Sequence, residues 1–284
     1  MLCGVIVISG LDKNFFRAGR HVIHHVILCT GVVCLFAHDA LAQDRSLTPL
    51  QRRIQQQAER LTSADEEERR DAVMQLGLLR HPEASRVATS HLNDVSVAVR
   101  VAAVNSVLWL PPDESVTALV PLLKDKIEFV RQESAYALGK TGSRAAVGPL
   151  LELVTTEKLP GAKGAAIISL GALRDEAAVV TLAQIVGPAA DGRKSRGSGE
   201  TNEFVLRSAV RALGQIGSRA AVPALSFALT NEKNHIEVRR EATVALGLIG
   251  DPAARSVLSE ARNSNDPYLS QAAHDSLQRL ILAN

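Results

Sequence analysis

Apolar residues recur along this chain at helical spacing, and one arrangement of them returns seven times. A small residue stands four places before a leucine or valine, and a glycine often follows. The copies are Ala72…Leu76-Gly77, Ala103…Val107-Leu108, Ser134…Leu138-Gly139, Ala166…Leu170-Gly171, Ala209…Leu213-Gly214, Ala242…Leu246-Gly247 and Ala273…Leu277-Gln278. Successive leucine positions lie 31, 31, 32, 43, 33 and 31 residues apart. A period of this kind predicts one supersecondary unit stacked on copies of itself. In the fifth copy Val205, Ala209, Leu213 and Ile216 share a helix face. Gly217 then stands where a helix closes at positive φ, and Gly142 and Gly250 hold the matching place. A second helix from Arg219 to Leu229 carries Val222, Leu225 and Leu229 inward. No stretch sustains period-two alternation, so the chain reads as all-α.

These residues resemble HEAT repeats of the short type first associated with phycobilisome lyases, V-R-x-x-A-x-x-A-L-G-x-I-G-x-x-x-A-V-P-x-L. Val238-Arg239-Arg240-Glu241-Ala242 through Gly250-Asp251 is a near match. Val130 to Gly142 and Ala209 to Leu225 match almost as well, and the resemblance runs from about Asp65 to the C-terminus. It implies a right-handed α-solenoid of about six helix pairs with a cap at each end, the second helices lining the concave side. A scaffold of this kind hosts many roles, so the resemblance speaks to fold more than to function. Aromatics are only 3% of the residues although apolar types reach 46%, which implies a core of Ala, Leu, Val and Ile.

A basic residue recurs seven places before the leucine position, at Arg69, Arg100, Arg131, Lys163 and Arg239. Asp94, Asp125 and Glu157 each lie six residues before Arg100, Arg131 and Lys163, so the pattern reads as a structural ladder tying adjacent turns rather than as a cationic track.

The first 42 residues read as an address. Val26 to Ala37 is an apolar run preceded by Lys13, Arg17 and Arg20, and Ala40-Leu41-Ala42 supplies a signal-peptidase site, with Gln43 beginning the mature chain. Twelve apolar residues span only about 18 Å of helix, too short for a membrane crossing. Cys3, Cys29 and Cys34 all lie in this leader, so the mature chain holds no thiol. Removing the leader's three basic and two acidic residues takes the formal charge from +2 to +1. That balance argues against nucleic acid as the partner. The expected location is extracytoplasmic, in the periplasm of a diderm bacterium.

Residues 43–62 should form an N-terminal capping helix, with Thr48 capping and Pro49 at its first position, and a stripe of Leu50, Ile54 and Leu61. Ser63-Ala64-Asp65-Glu66 has capping-box spacing and should start the next helix within a solenoid spanning 63–284. The 43-residue spacing comes from a Gly/Ser-rich insertion at 188–203, read as a flexible loop. In the second copy Leu108-Trp109-Leu110-Pro111-Pro112 replaces the usual turn, and Trp109 is expected to pack into the space this leaves.

Candidate chemistry is sparse. His81, His91, His235 and His274 have no second histidine or cysteine at metal-ligand spacing. One HEAT-like enzyme family, the deoxyhypusine hydroxylases, binds iron through repeated His-Glu pairs. Here Pro82, Leu92, Ile236 and Asp275 follow the histidines instead. No metal, cofactor or catalytic residue is therefore expected. The leading expectation is an exported, non-catalytic scaffold that binds a protein or peptide on its concave face. The alternative, implied by the resemblance to phycobilisome-lyase subunits, is an enzyme accessory or lyase-like subunit. The candidate partner-binding row is Glu152, Gln184, Phe227 and Glu260. Phe227 stands about 170° from the buried stripe of its helix, as ~100° per residue requires, and the others stand in register with it.

Overall fold

The computed structural model describes residues 47–187 and 202–282, which form fourteen α-helices and, among the described residues, no strand. The leader with its cleavage site Ala42–Gln43, and residues 188–201 of the insertion, lie outside the described residues. The chain divides into two compact units, one ending at Gln56 and one from Gln57 onward, a division that falls within helix α1 (Pro49–Arg60). In the first unit Thr48 and Gln51 form a reciprocal cap. The Gln51 N–H donates to Thr48 Oγ1 at 3.2 Å, and the Thr48 N–H donates to Gln51 Oε1 at 3.0 Å.

The second unit is a stack of six helix pairs closed by a single helix. First and second helices alternate as α2 (Glu66–Leu78) and α3 (Pro82–Ala88), then α4 (Val97–Ser106) and α5 (Pro112–Leu119). Next come α6 (Glu128–Lys140) with α7 (Val147–Thr156), and α8 (Pro160–Leu173) with α9 (Val179–Val186). The stack continues through α10 (Glu203–Ile216), α11 (Val222–Thr230), α12 (Ile236–Ile249) and α13 (Arg255–Ala261) to α14 (Pro267–Leu282). The fold is an all-α solenoid, as the repeat period predicts.

Local chemistry sets the boundaries. Gly142, Gly217 and Gly250 close first helices at φ 68°, 78° and 70°, where a residue without Cβ adopts the left-handed conformation freely. Ser143, Asp175 and Asp251 then accept the N–H two residues on and launch a short 3-10 turn into the second helix. Two expectations are corrected here. Helix α2 is capped by Asp65, which accepts the Glu67 N–H at 3.0 Å, while Ser63 braces Asp65 itself. Asn202 and Glu203 belong to α10 rather than to the insertion, because the Asn202 side chain caps that helix on the Val205 N–H.

Small residues let neighbouring first helices meet backbone to backbone. A Cβ on Gly139 would lie 2.6 Å from Ser169 Cβ and 2.9 Å from Ser169 Cα, and one on Gly214 would lie 2.9 Å from Ala245 Cα. Gly77 meets Ser106, Gly171 meets Ala212 and Gly247 meets Ser276 in the same way. Where the facing residue is serine, its hydroxyl donates across the junction, Ser106 to Val73 O at 2.9 Å, Ser169 to Ala135 O at 2.8 Å and Ser276 to Thr243 O at 3.0 Å. Beneath this column Leu76, Leu138, Leu170, Leu213 and Leu246 are fully buried. No described helix is long and apolar enough to cross a membrane.

Candidate functional site

The basic ladder is structural, and its geometry differs from the sequence reading in one respect. Each arginine takes the carboxylate of the following repeat rather than the one six residues before it. Arg69 pairs with Asp94 at 2.9 Å, Arg100 with Asp125 at 2.9 Å and Arg131 with Glu157 at 2.6 Å. What lies six residues before supplies a backbone carbonyl, since Arg69 also donates to Ser63 O, Arg100 to Asp94 O and Arg131 to Asp125 O. In the sixth pair the two tasks are divided. Arg239 donates to Leu229 O at 2.9 Å, and Arg240 takes Asp266. Lys163 holds the matching place on α8 and is engaged as well. The hydrogen bond from Arg69 holds Asp94 below the ordinary carboxylate range, and that from Arg240 does the same for Asp266. These charges are spent on holding repeats together.

The candidate binding row stands on four second helices. Glu152 on α7, Gln184 on α9 and Glu260 on α13 are exposed, and Phe227 on α11 is half-buried. Glu152 pairs with Lys124 at 3.0 Å. Glu260 lines a polar cavity of about 480 Å³ with Thr230, Arg239 and Asn263. Phe227 thus tucks partly into its surroundings, since Ala224 and Ala228 are buried beside Leu225 and widen the inner face of α11 beyond the predicted stripe.

An apolar opening lies elsewhere, on the first helices. Met74 and Leu78 of α2 form one wall of a groove of about 660 Å³, Phe129 of α6 forms the other, and Ala98, Val101 and Ala102 of α4 make the floor. Met74, Leu78 and Phe129 are 50%, 67% and 51% exposed. The sequence reading did not single out these residues. The signal was present: Val97–Ser106 carries one charge, Arg100, and that side chain is buried. Trp109 stands beyond the end of α4. It is 43% exposed with the Arg80 guanidinium 5.3 Å from its ring centroid, so it does not fill the gap left by its irregular turn. Ser115 closes that turn instead, donating to Val107 O at 3.0 Å.

Three of the four described histidines serve the backbone. His81 and His235 cap α3 and α12 by accepting the N–H of Glu83 and Glu237 on Nδ1. His91 sets its Nε2 3.1 Å from Leu61 O. Among the described residues no three His, Cys, Asp or Glu side chains converge as metal ligands would. The described side chains therefore do not fit an iron centre of the His-Glu kind.

Comparison with known proteins separates scaffold from activity. Deoxyhypusine hydroxylase of Gallus gallus is 39% identical over 95 residues, 34% of this chain and 31% of that protein. Deoxyhypusine hydroxylase-B of Oryza sativa is 26% identical over 209 residues, 70% of this chain and 67% of that one. The match thus spans about a third of the first relative's own length. Among solved structures, the complex of CpcE and CpcF of phycocyanin lyase from Nostoc matches with TM-score 0.47 and 20% identity, over 84% of this chain and 89% of that chain. The curated relatives are enzymes, which overturns both the expectation of a non-catalytic binding scaffold and the expectation that the chain is no enzyme. The physical reason is that helix pairs of this kind carry active sites and binding faces alike, so a sequence without a local catalytic motif does not distinguish them. The HEAT-repeat model matches residues 54–138, 128–196 and 198–278, and the chain belongs to the HEAT-repeat family.

Proposed function

We propose that this chain is an accessory subunit of an enzyme, the reading that the lyase-like alternative anticipates. The observation that carries it is the match to enzymes of the same repeat type, deoxyhypusine hydroxylases, in a chain where three histidines and the ladder carboxylates are engaged in holding the repeats. His81, His91 and His235 hold helix ends and a turn, and the ladder carboxylates hold arginines. In this reading the solenoid is a working part of the enzyme and holds its companion component or its protein substrate. Action outside the cytoplasm belongs to the same reading and is supported by the basic, apolar and Ala-Leu-Ala pattern of residues 13–42. N-terminal sequencing of the native protein tests that part, with Gln43 the expected first residue.

The test of function is affinity capture of the native protein, followed by assay of the captured complex and of the chain alone. The expected result is a stoichiometric partner and an activity that only the complex shows. Turnover of a deoxyhypusine peptide by the chain alone makes it the catalyst itself. Recovery of the chain with no partner removes the accessory reading.

A further inference from the structure

Repeat symmetry reveals an unfilled place beside Arg207. In the sixth pair Arg240 of α12 lays its fork on Asp266, the residue just before α14, with Nε 3.0 Å from Oδ1. Arg207 holds the equivalent position on α10, six residues before Leu213 as Arg240 is six before Leu246. The residue just before the following first helix is here His235, which offers no carboxylate. Among the described residues Arg207 has one ion pair, a loose one of 3.6 Å to Glu203 in its own helix. Glu203 lies 3.4 Å from His235 Nδ1, a nitrogen that already accepts the Glu237 N–H. Arg207 Nε is buried with no hydrogen-bond partner, while the side chain as a whole is 38% exposed. A desolvated guanidinium nitrogen left unpaired is costly, and the equivalent fork of Arg240 is not left so.

Arg207 lines a cavity of about 490 Å³ with Arg211, Phe204 and Ile168. Arg211, one turn on, gives Nε and Nη2 to Glu241 at 2.7 and 3.0 Å. The Phe204 ring lies so close on Gly164 of α8 that a Cβ there would collide with its edge, yet Phe204 is 45% exposed. The ring is thus seated on one side and open on the other. We propose that this cavity binds a small carboxylate carrying an apolar body. Its carboxylate pairs with Arg207, as Asp266 pairs with Arg240, and its apolar part rests against Phe204 and Ile168. A guanidinium meets a carboxylate with paired, charge-assisted hydrogen bonds. Two cations line the cavity against one carboxylate, Glu203, which gives up only its loose contact. The volume is that of a small-molecule site. This inference does not depend on the accessory reading.

Isothermal titration of the full chain with 3-phenylpropionate, at constant ionic strength, is the test. One saturable site with a dissociation constant of about 1 mM or tighter is the expected result. The uncharged 3-phenylpropanamide, and inorganic phosphate, which lacks the apolar body, should each bind at least about tenfold more weakly. Arg207→Gln should weaken binding about tenfold or more with unchanged circular dichroism. His235→Asp gives Arg207 the acid that Arg240 has and keeps a good cap on α12, so it should weaken binding about tenfold without lowering the melting temperature. No saturation up to about 20 mM overturns the proposal. Phosphate binding as well as 3-phenylpropionate also overturns it, since that marks an adventitious ion only. So does binding unchanged in Arg207→Gln or in His235→Asp, which places the ligand elsewhere.

Discussion

The Arg100 guanidinium lies 2.9 Å from the Asp125 carboxylate, 25 residues and one repeat further along the chain. Asp125 at the same time accepts the Ile127 N–H at 2.8 Å, bracing the turn into α6. One carboxylate thus joins two repeats and shapes the start of the next. Arg100 is only 5% exposed, so removing its partner strands a buried cation. Asp125→Ala should cost about 3 kcal/mol, read as a lower urea midpoint at unchanged slope. Arg86–Glu114 spans repeats at the same distance of 2.9 Å, but with side chains 52% and 40% exposed. Glu114→Ala should therefore cost under ~1 kcal/mol.

Acid should loosen the stack through the same carboxylates. Arg69 holds Asp94 below the usual carboxylate range, and Arg240 does so for Asp266. In Glu157 burial acts the other way, but the Arg131 hydrogen bond and the Leu159 N–H outweigh it. A carboxylate depressed in the folded state takes up its proton more readily when unfolded. The unfolded chain thus binds more protons below about pH 4, and stability present above that value is lost as pH falls. Urea midpoints should be level from about pH 5 to 7 and drop steeply below about pH 4. Asp94→Asn should lower the plateau and flatten part of the drop.

The fold was legible in the chain because a solenoid repeats its instructions. Leu76, Val107, Leu138, Leu170, Leu213 and Leu246 are all fully buried, so six weak signals add to one strong one. The ladder residues were legible as a pattern but not as pairs. Spacing along one helix does not show that Arg100 reaches forward to Asp125 while gripping the Asp94 carbonyl behind it. The groove was the least legible feature. It arises from three helices, and Met74, Ala98 and Phe129 have no sequence relation beyond the repeat that brings them side by side. Phe227 shows the same limit, since helical angle alone places it outward while in the structure it is half-buried.

Close approach of the first helices makes glycine substitutions unequal. Gly139→Ala would set a methyl 2.9 Å from the Ser169 backbone, and the two helices would have to move apart. A loss of about 1–3 kcal/mol is expected, and Ser169→Ala in the same chain should not recover it, because the nearest obstacle includes Cα. Gly148 lies in the first turn of α7 with open space around it. Gly148→Ala gains the helix preference of alanine but sets a Cβ before the Pro149 ring, which disfavours the helical conformation there, so the two effects should roughly cancel. Differential scanning calorimetry should show a clear loss for Gly139→Ala and little shift for Gly148→Ala.

Helix α8 ends on Arg174 at φ 52°, ψ 37°, in the place where Gly142, Gly217 and Gly250 end other first helices. A side chain in the left-handed region crowds its own carbonyl at a cost of about 1–2 kcal/mol, which the repeat tolerates because both neighbouring helices are fixed by packing. Glycine at this position relieves the crowding but gains freedom in the unfolded chain, worth about 0.5–1 kcal/mol against it. The balance favours the substitution slightly. Arg174→Gly should raise the melting temperature by a few degrees at most, while Arg174→Val should lower it, since a β-branched residue fits the left-handed region worst. Equal melting of the two variants would show that the backbone there relaxes out of the left-handed region when arginine is removed.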